Sequence, residues 1–257
     1  MMFKAFRVTL LLLILFFVAV STWLTEARST DWNNSLWVKI YPINGDGSTE
    51  SARYIETVTV DSFKSIETFI ARETAKYGHT LARPVRVELG TPIKEQPPTP
   101  GSTPGTIDVM LWSLKMRWWA NRVASDQDDP APDVRVFVRY HAPRSDFVLE
   151  NSVGIQKGMV GVVNAFAGQR QAGTNNVVIA HEFLHTLGAT DKYNPANGQP
   201  DIPAGIAEPD RKPRFPQRFA EIMGGRIAIS ESDAMVPKSL KYVVIGADTA
   251  REIRLQE

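Results

Sequence analysis

Runs of apolar positions with two different periods divide the chain. Ser35–Ile43 is near-continuously apolar and ends at Asn44-Gly45-Asp46-Gly47, a strand followed by a turn. Residues 53–60 are expected to be a short strand or an extended approach. Phe63, Ile66, Ile70 and Tyr77 repeat at helical spacing, with Asp61 or Ser62 as cap and Gly78 as stop. Pro84–Leu89 is a second strand, and residues 91–106, with five prolines, are an exposed loop. Met110–Val123 is a second helix with Leu111, Leu114 and Trp118 on its apolar side. Asp133–Tyr140 alternates apolar residues at 134, 136 and 138, the signature of a strand. Gly158–Phe166 is another strand, and Gly168–Gly173 a polar turn. A helix capped by Asn175 or Asn176 then runs to Leu187. After a proline-rich stretch from Asn194 to Pro216, Asp248 is expected to cap a last helix, Thr249–Leu255. Strands alternating with helices predict an α/β fold with a mostly parallel sheet.

The start of the chain stands apart. Lys4 and Arg7 precede an apolar run from Val8 to Val20 that Trp23-Leu24 prolong. Such a segment is a secretory signal or a retained membrane anchor. The expected organisation is therefore a leader over 1–29 and one domain over 30–257 that acts outside the cytoplasm, secreted or tethered. The membrane enters only through the leader.

Composition narrows the chemistry. The net charge of +1 gives no electrostatic case for nucleic acid. The absence of cysteine removes disulfides and thiolate metal sites. Trp112, Trp118 and Trp119 are readable as a ligand-stacking box or as packing. Asp126–Asp129 with Asp133 form an acidic loop, readable as a calcium site or as a solvated turn. Nothing in the sequence sets the oligomeric state.

Two of the four histidines fall in one short stretch, His181-Glu182-Phe183-Leu184-His185-Thr186-Leu187-Gly188-Ala189-Thr190-Asp191. Residues four apart share a helix face, so both imidazoles can hold one zinc ion, and Glu182 can reach its bound water as general base. The surrounding Val177, Val178, Ile179, Ala180, Phe183, Leu184 and Leu187 bury this helix, and buried polar groups need partners. A continuing helix would carry residue 191 about 15 Å from His181. Gly188 can end the helix in the left-handed region and let Asp191 turn back as a carboxylate ligand. Two histidines and one carboxylate leave a position for water, the layout of a catalytic site.

H-E-x-x-H-x-x-G-x-x-D resembles the zinc signature of the metzincin clan of metallopeptidases, in the variant with Asp as third ligand seen in snapalysin-like enzymes. The resemblance implies His181, His185 and Asp191 as ligands and Glu182 as base. It also implies a twisted mixed sheet, with an antiparallel edge strand above the active-site helix that binds peptide substrate extended. Gly158–Phe166 is where that edge strand is expected. The clan's methionine turn is best matched by Met223, in Glu221-Ile222-Met223-Gly224-Gly225, with Met235 as rival. Tyr193 is readable as a donor to the oxyanion or to a metal ligand, or as structural. The expected function is a zinc endopeptidase acting on proteins or peptides. Two alternatives are a gluzincin-type site with Glu208 or Glu221 as third ligand, and a non-catalytic, envelope-anchored zinc or peptide-binding protein.

Overall fold

The computed structural model describes residues 30–99, 105–125, 130–144, 152–155 and 159–256, with isolated leader positions 7, 9, 12, 13 and 16. The expected leader and the acidic run 126–129 therefore lie outside the described residues, apart from those five leader positions. Among the described residues, no helix is long and apolar enough to cross a membrane.

One five-stranded sheet organises the chain. Its strands are β1 (Leu36–Asn44), β2 (Val85–Leu89), β3 (Val134–His141), β4 (Val153–Ile155) and β5 (Val160–Phe166), in the order β2-β1-β3-β5-β4. All neighbours are parallel except β4, which runs antiparallel to β5 with Gly154 opposite Gly161. The fold is thus α/β, with a mostly parallel sheet, one antiparallel edge strand and helices packed against it. Gly158–Phe166 is not the edge, however. Its described part is β5, an inner strand hydrogen-bonded on both sides. The edge is the three-residue β4, too short to show a period of two.

The apolar strands are covered on both faces, as parallel sheets require. One face (Val38, Ile40, Val87, Val136, Val138, Val163) meets two helices, α2 (Lys64–Lys76) and α4 (Ala172–Thr186). α1 (Thr49–Thr57) lies beside them. It replaces the strand expected over 53–60, because Ser48 caps it by accepting from Ser51 N–H and only Ser51 and Ile55 are buried, too sparse a stripe to read. Asp61 and Ser62 do not cap α2. They sit in a 3-10 turn, Val60–Phe63, where the Ser62 hydroxyl accepts from Thr59 N–H. Gly78 ends the segment at φ +88°, as expected.

The other sheet face packs Tyr41, Ile43 and Phe137 on α3 (Thr106–Ala124) through Met116, Trp119, Ala120 and Ala124. Leu111, Leu114 and Trp118 are on the exposed side, not the core side as expected. α3 is apolar on two faces, and the sheet takes the other one. The tryptophans form no common box: Trp119 packs 4.7 Å from the Phe137 ring, Trp112 donates to Pro98 O, and Trp118 is exposed beneath Arg122.

After α4 the chain is mostly turns, with two-residue strands β6 (Ala220–Glu221), β7 (Ile227–Ala228), β8 (Ala234–Met235) and β9 (Val243–Val244). α5 spans Ala247–Glu252 with Gly246 as N-cap, so Asp248 lies inside it and pairs with Arg251. Two long ties close the fold. Trp37 N–H donates to Asp133 across 96 residues, and the Trp32 indole N–H donates to Ile253 O across 221.

Candidate metal centre

α4 carries the site. It starts at Ala172, three residues before Asn175. Both asparagines are buried inside the helix and do other work. Asn175 bonds the Phe166 backbone in both directions, and Asn176 donates to Ser62 O and the Ser65 hydroxyl. These bonds fix α4 to the end of β5 and the start of α2. Phe183, Leu184 and Ile179 are almost fully buried.

The helix stops as Gly188 requires. Gly188 N–H donates to His185 O and Ala189 N–H to Leu184 O, the paired bonds of a Schellman cap, with Gly188 at φ +105°. The chain then doubles back. Ala189 O accepts from His185 Nδ1 at 2.7 Å, the Thr190 amide and hydroxyl both donate to Glu252, and Lys192 N–H donates to Met223 O. This clamp delivers Asp191. Its Oδ1 lies 3.1 Å from His181 Nε2 and 3.2 Å from His185 Nε2. His181 Nδ1 is engaged by Ile222 O at 2.9 Å. Each imidazole therefore holds a backbone carbonyl with one nitrogen and turns the other toward Asp191.

Three donor atoms, both Nε2 atoms and Asp191 Oδ1, converge here. Zinc at about 2.0–2.1 Å from tetrahedral ligands sets neighbouring ligand atoms about 3.3 Å apart, close to these two separations. Glu182 lies next to them, its carboxylate oxygen and the two imidazole nitrogens falling within 4.8 Å of one another. It is 5% exposed, and its Oε2 has no hydrogen-bond partner. An orphaned buried carboxylate oxygen costs free energy unless something else fills the space. The residues present therefore fit a metal with a water beside it.

Electrostatics follow from the same packing. Burial pushes the Glu182 carboxyl up, the two imidazoles oppose this and Asp191 adds to it, so its pKa is raised. Burial also works to raise Asp191, but hydrogen bonds and charge from His181 and His185 prevail and hold it well below the carboxylate range. For His185, burial lowers and Asp191 raises, with a net increase. Burial, and then the charges of Asp191 and Glu182, push the Tyr193 phenol up, so it keeps its proton. Its ring is 6.3 Å from that of His181.

Met223 is fully buried in the turn under His181, whereas Met235 is exposed on β8. The turn is held by Glu221, also fully buried, which accepts from Met223 N–H, Gly224 N–H, Gly246 N–H and the Thr249 hydroxyl. Glu221 is thus fully used away from the site. Glu208 pairs with Arg218 and accepts its backbone N–H. Neither glutamate joins the histidines. His79 bonds Leu255 O and His141 bonds Asn164, so the site keeps two histidines.

A cleft of about 540 Å³ opens on His181 and Glu182, walled by Asn164, Tyr193, Pro195–Gly198, Gly224–Arg226 and Val236. Part of the proline-rich stretch therefore walls the cleft. β4 rests on α4 beside it. A Cβ on Gly154 would meet His185 Cβ at 2.5 Å and Glu182 O at 2.6 Å, so only glycine lets the edge strand rest on the helix backbone here. Sequence reading missed three parts of this site: β4, Asn164 and Arg226. β4 is too short to be periodic, and Asn164 hides in an apolar strand. Arg226 had a signal, a cation directly after Gly224-Gly225.

No protein-family model and no curated protein matches the chain. Among solved structures it is similar to one described as a chaperone–substrate complex, at 12% identity and a TM-score of 0.37, over 87% of this chain and 36% of that one. It is also similar to a catalytically inactive OgpA from Akkermansia muciniphila in complex with an O-glycopeptide, at 8% identity and 0.35, over 84% and 58%. This chain spans little more than a third and somewhat over half of those two chains. Likeness at these scores carries no argument about fold or function.

Proposed function

We propose that the chain is a zinc-dependent endopeptidase of metzincin type, with His181, His185 and Asp191 as ligands and Glu182 as general base. The observation that carries this reading is the convergence of Asp191 Oδ1 on both Nε2 atoms beside the unpartnered Glu182 Oε2. Bound zinc would supply Lewis-acid polarisation of the scissile carbonyl and acidify a water in the open position. Glu182 takes that water's proton; its burial and raised pKa make it a stronger base than a solvated glutamate, and the same proton then goes to the leaving amine. Tyr193, still a phenol and lining the cleft beside His181, is a side-chain donor available to a developing oxyanion. β4 has one edge free of strand partners among the described residues, which suits an extended peptide added as a further strand. With the apolar leader, the substrates are extracytoplasmic proteins or peptides.

The gluzincin-type alternative is disfavoured by the other engagements of Glu208 and Glu221. The test is casein hydrolysis by zinc-loaded protein. Chelation should abolish it, and Glu182→Gln should retain zinc while lowering kcat about 10²- to 10⁴-fold. Full zinc occupancy with no turnover of any peptide would overturn the reading in favour of a binding protein.

A further inference from the structure

Arg226 follows the Gly224–Gly225 turn and immediately precedes β7, in the cleft wall with Val177, Val178 and His181. Its guanidinium lies against the opposite wall. A Cβ on Gly198 would meet its Nη2 at 3.2 Å and its Cζ and Nε at 3.3 Å, so three atoms of the plane are level with one point of the backbone. Gly198 is at φ +66°, in a turn where its N–H donates to Asn194 O. The guanidinium is thus seated face-on against glycine backbone, with its N–H edge unused. It has no carboxylate or carbonyl partner among the described residues. That sets it apart from Arg72, Arg83, Arg122, Arg218 and Arg251, each paired with a carboxylate. Among the described residues lining the cleft Arg226 is the only Lys or Arg, and Glu182 the only Asp or Glu.

A half-buried guanidinium presents its donors in a rigid fork that matches a carboxylate in two bonds. In an open cleft that fork is free to be taken by an anionic ligand, which would replace solvent with two charge-assisted bonds. We infer that Arg226 makes this cleft a carboxylate-binding subsite, so that the peptides taken are those presenting a carboxylate near the bond to be cut. This rests on the peptidase reading above. The carboxylate has two sources, an Asp or Glu side chain or a free peptide C-terminus. The apolar Val177, Val178 and Val236 suit the methylene stem of either.

The experiment measures binding to the zinc-loaded Glu182→Gln protein, which needs no turnover. End-blocked fluorescent peptides differing only by Glu or Gln form one pair, and peptides ending in a free acid or an amide form another. The carboxylate member of one pair should bind about 10- to 100-fold more tightly. Adding Arg226→Ala should reduce that ratio to near one, and Arg226→Glu should favour a Lys peptide instead. Zinc content of each variant reports whether the site is still folded. The pair that responds identifies the source. No carboxylate preference in either pair, or a preference that survives Arg226→Ala with zinc retained, overturns the inference. Native protein that discriminates through Arg226 but hydrolyses none of these peptides overturns the peptidase reading and leaves the subsite standing.

Discussion

The two halves of this molecule share one apolar core but add different chemistry to it. Up to Thr186, apolar side chains at regular spacing meet across a sheet, and the interior is Val, Ile, Phe and Trp. From Ala189 onward there is little regular structure, and buried carboxylates tie loops by their backbone N–H groups. Glu221 gathers four donors; Glu73, from α2, takes Ile245 N–H together with Arg72 and Lys76. The difference teaches where a site can be built. The regular half supplies rigid histidines, and the irregular half supplies the groups that must approach from outside a helix: Asp191, Ile222 O and Arg226.

The comparison breaks most readily at Glu221. Glu221→Ala strands three backbone N–H groups and one hydroxyl in a dry interior, and should cost on the order of 4 kcal/mol or more. Urea unfolding measures it. A loss under about 1 kcal/mol would mean that the loops hold themselves without the carboxylate. Phe137→Ala should cost about 3–4 kcal/mol by leaving a cavity between Tyr41 and Trp119. Because the damage stays in the far sheet face, zinc stoichiometry of the folded fraction should hold, whereas Glu221→Ala should lower it. Equal loss of zinc in both variants would erase the distinction between the halves.

The smallest effect sharpens the seam between them. Asp191 is depressed below its ordinary 3.8 and His185 raised above its ordinary 6.5. In metal-free protein the His185 contribution to stability is fully present below pH 6.5 and is lost as pH rises through the raised value. The Asp191 contribution is present above pH 3.8 and is lost as pH falls through the depressed value. Metal-free protein should therefore have a lower urea midpoint at pH 9 than at pH 6. Zinc-loaded protein should gain on the same change, because zinc needs neutral imidazoles. Parallel pH profiles with and without zinc would show that the ion binds elsewhere.

Much of the regular half was legible from the sequence, because period and burial coincide in β1, β3, α2 and α4. α1 escaped because its buried residues are a serine and an isoleucine. Asn175 and Asn176 misled because a cap and a buried tether use the same side chain, and only the partner tells them apart. At the candidate site, the helical spacing and Gly188 pointed to the return of Asp191. The other ties could not be read: a glutamate that collects amides from two separate stretches and a hydroxyl besides has no sequence period, since its partners lie up to 28 residues away.

The bond from the Trp32 indole to Ile253 O has a consequence in time as well as space. β1 is an inner strand of the sheet, yet its neighbours β2 and β3 come much later in the chain, and the residue that seals Trp32 follows it by 221 residues. Such non-local pairing makes a slow search, with loop closure preceding the contacts that reward it. Until then β1 is an apolar strand with two open edges, the kind of surface through which unfinished chains aggregate. Refolding yield should therefore fall as protein concentration rises, and a chain cut before Ile253 should aggregate more readily than one that includes it.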